Sequence, residues 1–179
     1  GIYTVNGDVH ARACIAKHMV NLSGKRIEVG MGASKPIGGE VEPWTEYVEC
    51  YVDDKFIDEE ETETSKNIVF QAPQKVGIRH DGLEAMAEKL SRNQAIVFSI
   101  GPLTNIAKLI EEHPHAARNI THLYVMGCRF EEKNEHNIRF DIPAAIRVFN
   151  ANIPITVVPG DVCSKYRLPF IYTGDGRIL

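Results

Sequence analysis

Short apolar runs alternate along this chain with stretches whose apolar residues recur every three or four positions, and Gly, Pro, Asn and Asp mark the joints. Residues 2–5 read as a strand closed by the turn Asn6-Gly7-Asp8. Asp8 is placed to cap a helix whose apolar stripe is Ala11, Cys14, Ile15, Met19 and Leu22, with Gly24 at its C-terminal cap. A second strand follows over 26–31. After a long interruption, His80-Asp81-Gly82 turns into a helix carrying Leu83, Met86, Ala87 and Leu90, ended by Asn93. Ala95–Ser99 has no polar alternation and predicts a strand buried on both faces. Gly101-Pro102 breaks it, Pro102 suits the first turn of a helix, and Leu103, Ile106, Ala107 and Ile110 give that helix one apolar face. Pro114 marks a boundary before a strand over Ile120–Met126 and a charged loop over 129–137. Asp141-Ile142-Pro143 then starts a helix with Ala144, Ala145, Val148 and Phe149, and 154–158 is the last strand.

Strands alternating with helices predict one α/β domain over 1–179: a mainly parallel sheet with helices on both faces, in Rossmann-type layering. Residues 40–75 interrupt the alternation. There Trp44, Tyr47, Tyr51 and Phe56 are interleaved with an acidic run from Asp53 to Glu63. A solvated surface excursion accounts for it; a cation site or a lid over a cleft are the sharper alternatives. The chain starts without Met inside a strand and ends at Leu179 with no terminal element, so the domain is expected to be incomplete at both ends.

Composition narrows the partners. With 179 residues, 44% of them hydrophobic, the chain can bury one core. A net charge of -4 offers no footprint for nucleic acid, and no apolar run spans a bilayer or resembles a signal segment. Four scattered cysteines, Cys14, Cys50, Cys128 and Cys163, read as reduced, mostly buried thiols of a cytoplasmic protein and argue against structural zinc.

In a parallel sheet the turns after the strands share one edge, where ligands gather. Asp8, Ser34, Ser99, Thr104, Asn105, Met126, Gly127 and Asp161 would meet there. No GxSxG, Cys–His pair, P-loop or GxGxxG supplies a familiar nucleophile or phosphate cradle. The richest polar cluster is Asn134-Glu135-His136-Asn137. A carboxylate and two carboxamides can hold several hydroxyls, as sugar recognition requires, or can simply bond their own backbone in a surface loop. His113 and His115 flank Pro114 as a possible metal pair or a surface turn, and His80 is either catalytic or a turn residue.

The order of motifs resembles the nucleoside hydrolase family of the inosine-uridine-preferring type. The matching pieces are residues 4–9 (TVNGDV), 80–83 (HDGL), 101–107 (GPLTNIA), 124–127 (YVMG), 135–138 (EHNI), 141–145 (DIPAA), and 154–158 with Asp161. The resemblance covers nearly all of this chain but only the middle of a full family member. It implies hydrolysis of the N-glycosidic bond of ribonucleosides by a calcium-activated water, in purine and pyrimidine salvage. It further implies a main-chain carbonyl ligand to calcium from Thr104, and a ribose pocket formed by Glu135, Asn137 and Met126, with Asp8 and Asn134 at further substrate-binding positions.

The family's DxDxxxDD cluster is absent from this chain, and its later His-Asp pair would lie beyond Leu179. Asp8 stands where the family has Asn, and Ile78 where it has His. A second reading is therefore a relative that has lost hydrolysis and serves as a binding or assembly module; a third is action on another ribosyl-like sugar. An incomplete parallel sheet exposes a strand edge, which predicts association with the remainder of the protein or with a second copy.

Overall fold

The computed structural model describes residues 1–39, 77–130 and 135–165. Within them the chain runs β1 (Ile2–Thr4), α1 (Val9–Leu22), β2 (Val29–Met31), β3 (Ile78–Arg79), α2 (Gly82–Arg92), β4 (Ala95–Ser99), α3 (Thr104–Glu112) and α4 (Pro114–Ala117). It continues through β5 (Ile120–Met126), α5 (His136–Phe140), α6 (Ile142–Phe149), β6 (Ile155–Val158) and α7 (Gly160–Lys165). The acidic run, Asn134 and Cys50 lie outside the described residues.

The class is the α/β one expected, and every strand pairing is parallel. The sheet is nonetheless divided into two three-stranded parts, in the orders β1-β2-β3 and β4-β5-β6. Both parts follow from hydrophobic pairing in register. Ile2 lies beside Val29 and Val29 beside Ile78 in the first, and Val97 beside Leu123 beside Ile155 in the second. Helices cover both faces of the first part. Ala13 and Val20 of α1 pack with Val29 and Ile78 on one side. On the other, Tyr3 joins the cluster holding Met86 and Leu90 of α2.

The second part is covered on one face. Leu123 and Val125 of β5 pack with Leu103, Ile106 and Leu109 and with Ala144 and Val148, where α3 crosses α6. The opposite face carries Ile96 and Phe98, 56% and 68% exposed, and the Phe98 ring stacks on Tyr124 at 5.0 Å. This corrects the expectation that β4 is buried on both faces. A five-residue apolar run says nothing about how many faces find a partner, and among the described residues helices reach only one.

Several local expectations need adjusting. In α1 the buried stripe is Ala13 and Val20, with Ile15, Met19 and Leu22 exposed, because the small residues allow close approach to β2 and β3. The strand expected over 26–31 is paired only over Val29–Met31, and Pro102 precedes α3 rather than opening it. The loop expected over 129–137 gives way to α5 at His136. None of Cys14, Cys128 and Cys163 is fully buried, contrary to the burial expected of them; all three are free thiols. The caps are as expected: the Asp8 carboxylate accepts the Ala11 N–H at 2.8 Å, and Gly24 follows α1 with φ +67, a left-handed conformation that glycine adopts without strain. Among the described residues no helix is long and apolar enough to cross a membrane.

Candidate active site

The carboxyl ends of β1, β2, β4, β5 and β6 are drawn together at one edge by side chains that reach across to main chain. Asn105, the second residue of α3, does most of this. Its Oδ1 accepts the Ala33 N–H at 2.8 Å and its Nδ2 donates to the Thr4 carbonyl at 3.0 Å, so one carboxamide ties β1 and β2 to the helix that follows β4. A Cβ on Gly32 would collide with that carboxamide and lie 2.5 Å from the Thr4 carbonyl oxygen, so the close approach requires glycine here.

Thr104, the first residue of α3, is fully buried and donates its hydroxyl to Asp141 at 2.7 Å. The same carboxylate accepts the Ile37 N–H at 2.8 Å and, as cap of α6, the Ala144 N–H at 3.1 Å. Three donors neutralise the cost of burying this charge. Thr104 and Asp141 therefore lock the loop after β2 and the start of α6 onto α3.

Beyond β5 the chain turns sharply. Cys128 sits at φ +68, and its N–H donates to Glu135 Oε2 at 3.2 Å. Glu135 caps α5: Oε1 accepts the Asn137 N–H at 2.9 Å and Oε2 accepts the Ile138 N–H at 3.0 Å. Three backbone donors fill most of the roughly four acceptor sites of a carboxylate. The buried Asn137 carboxamide donates to the Met126 carbonyl at 3.0 Å and lies 3.2 Å from Met126 Sδ. Opposite, the Gly160 N–H donates to the Cys128 carbonyl at 2.9 Å and Asp161 accepts the Phe130 N–H at 2.8 Å, which ties the exit of β6 to that of β5.

Met126, Glu135 and Asn137 are thus brought together. Thr104 stands with Asp141, a cluster of its own. Asp8 is exposed at the start of α1, with its carboxylate on the Ala11 N–H rather than on either cluster. Asn6 and His136 received no role from their sequence pattern, yet they meet across the cleft. The His136 Nε2 lies 3.4 Å from Asn6 Nδ2, and the ring tilts over Phe140 at 6.3 Å. Burial lowers the His136 pKa, Glu135 opposes this, and Arg12 adds to it. Burial, aided by Glu135, pushes the Cys128 thiol up.

Calcium requires six to eight oxygen ligands. Among the described residues no three His, Cys, Asp or Glu side chains are grouped to hold a metal, and the one carboxylate touching Thr104 is already occupied by three donors. A calcium ion does not fit the described residues. The His113 and His115 pair likewise forms no metal group. A cavity of about 320 Å³ lined by Glu84, Glu88, Arg92 and His113 lies on α2, away from the strand ends. A smaller one of about 110 Å³, between Pro36, Gly38, Phe140 and Pro143, adjoins them.

The family model described as inosine-uridine preferring nucleoside hydrolase matches residues 1–174. The pyrimidine-specific ribonucleoside hydrolase RihA of Shewanella woodyi is 42% identical over 87 residues, which is 45% of this chain and 28% of that protein. The non-specific ribonucleoside hydrolase RihC of Klebsiella pneumoniae subsp. pneumoniae is 37% identical over 79 residues, 41% of this chain and 26% of that protein. Among solved structures, the inosine-uridine preferring nucleoside hydrolase of Bacillus anthracis superposes with a TM-score of 0.67 at 20% identity. That superposition covers 94% of this chain and 58% of that one. At that identity the likeness speaks for the fold. The chain spans well under two thirds of the relatives it matches.

Proposed function

Because the chain belongs to the inosine-uridine preferring nucleoside hydrolase family, we propose that it forms the ribose-binding part of a ribonucleoside hydrolase. The observation that carries this reading is the convergence of Glu135, Asn137 and Met126 at the carboxyl end of β5. A carboxylate and a carboxamide fixed by main chain are pre-organised acceptor and donor groups for the vicinal hydroxyls of a sugar. The half-buried Met126 thioether offers an apolar wall. Asp8 and Asn134 are further substrate-binding candidates.

Hydrolysis adds water across the N-glycosidic bond. The water oxygen bonds to the anomeric carbon, the C–N pair leaves with the base nitrogen, and a water proton ends on the base. In this chain Glu135 and Asn137 would hold the sugar while that carbon flattens. The family resemblance also implies a calcium ion with Thr104 as a main-chain carbonyl ligand, but among the described residues no group of three His, Cys, Asp or Glu side chains completes such a site. The free cysteines support a reducing compartment such as the cytoplasm, and the open face of β4 supports association with a second copy or with the remainder of the protein.

A non-catalytic binding or assembly module is the second reading, favoured by the three backbone amides that already occupy Glu135 and by the lack, among the described residues, of a carboxylate group that could hold a metal. Calorimetry on the 179-residue chain, with calcium, ribose and inosine added in turn, tests both. A ribose-dependent heat with release of reducing sugar from inosine is the expected result for the enzyme. Binding without release identifies the module, and no heat from ribose or inosine would sink both.

A further inference from the structure

We propose that His10 and Cys14 on α1 are half of a zinc site, completed by the same pair from a second copy of the chain. The site is separate from the sugar cleft and does not depend on the nucleoside reading.

Helical spacing makes the pair. Residues four apart lie one above the other on an α-helix, so the His10 ring and the Cys14 thiol share a face of α1. Cys14 Sγ lies 3.8 Å from His10 Nε2, on the surface. Tetrahedral zinc holds nitrogen at about 2.0–2.1 Å and sulfur at about 2.3 Å, which sets the two about 3.6 Å apart. The two side chains thus stand close to the separation that the ion imposes, on one helix and without movement of the backbone. Scattered cysteines argue against zinc because its ligands are usually paired along the chain. Here one helical turn pairs a cysteine with a histidine.

Two ligands do not complete the site. Structural zinc takes four, and among the described residues no three His, Cys, Asp or Glu side chains are grouped to supply more. A twofold axis through the ion doubles each ligand and gives two imidazoles and two thiolates, a common structural set. The same helix exposes Ile15, Met19 and Leu22, an apolar stripe at helical spacing that α1 of the second copy would cover. Asp8 at the N-cap brings negative charge to the end of the helix that otherwise disfavours a cation. Burial, aided by the Asp8 charge, pushes the Cys14 thiol up, so it is protonated near pH 7. Each zinc ion would therefore displace two thiol protons, one from each copy, and both pass to solvent.

The test is cobalt titration of the full chain, read by its thiolate-to-cobalt absorption band, with light scattering in zinc. The band should saturate at about half an ion per chain with about one proton released per chain. At a concentration where the metal-free chain is monomeric, zinc should double the mass and a chelator should reverse it. His10→Ala and Cys14→Ser should each abolish the band and the zinc-dependent mass, while Cys163→Ser, at the exposed thiol of α7, should keep both. Met19→Glu should loosen the zinc-dependent dimer with both ligands in place. Absence of the band, or a band that survives Cys14→Ser, overturns the site. Saturation at one ion per chain with no zinc-dependent change of mass overturns its sharing between two copies. Stoichiometry and mass of the unsubstituted protein decide the matter should a variant fail to fold.

Discussion

At the scale of single residues, the edge of the sheet is held by carboxylates and carboxamides acting on main chain. Asp141 is the most consequential. Replacing it with Ala would leave the Thr104 hydroxyl and the Ile37 and Ala144 amides without their acceptor, and should cost about 3 kcal/mol in urea unfolding. Asp141→Asn should fall in between, since a carboxamide keeps one acceptor but points a donor at donors. His136 makes the stability depend on pH. Its native pKa lies below the ordinary value of 6.5, so the unfolded chain binds the proton more readily. Stability is whole above 6.5 and falls as the pH drops from there through the lowered native value. His136→Phe should flatten that part of the profile, and an unchanged slope would show that other groups set it. Sequence showed Asp8 as a cap and Asp141 at the start of a helix because capping is local. It could not show that Asn105 and Asn6 reach across the sheet, because those partners lie far away in the chain.

At the scale of elements, strands and helices were legible wherever periodicity ran long enough. Ala95–Ser99, Ile120–Met126 and the helix over Gly82–Arg92 stand where the pattern puts them. What escaped was short or capped from a distance. The two-residue β3 has no periodicity to display, and α5 hides in a polar stretch because Glu135, not an apolar stripe, starts it. The stripe of α1 was misread because Ile15, Met19 and Leu22 outrank Ala13 and Val20 in hydrophobicity, yet the smaller residues fit the sheet. The brace between elements is open to test. Asn105→Ala would strip the Ala33 amide and the Thr4 carbonyl of their partner, at a cost of about 2 kcal/mol. Amide protection should then fall at the ends of β1 and β2 while β5 keeps its own. A uniform loss across both half-sheets would contradict this view of the brace.

At the scale of the whole molecule, parallel sheets are ordinarily covered on both faces, and among the described residues β4 to β6 are covered on one. Ile96, Phe98 and Ile100, at the edge of that sheet, are 56%, 68% and 82% exposed, a long apolar edge of the kind that pairs with other chains. Light scattering should therefore give a mass that rises above 20.0 kDa with concentration, and Phe98→Glu should lower it. A monodisperse 20.0 kDa species at every concentration would contradict this. The family and the α/β class were legible in the motif order. The division of the sheet was not, since strand order is a property of pairing and not of any one segment.

The Asn105 brace also bears on the order in which the chain acquires its structure. Its two bonds close loops of 72 and 101 residues, whereas the β4-β5-β6 unit joins segments that follow one another in sequence. Loop closure favours short separations, so the later half-sheet should assemble first and the β1-β2-β3 unit dock onto it afterwards. The amino-terminal strands then become the last part to be secured and the first to be released, which makes the side of the cleft that carries Asn6 the more readily opened one.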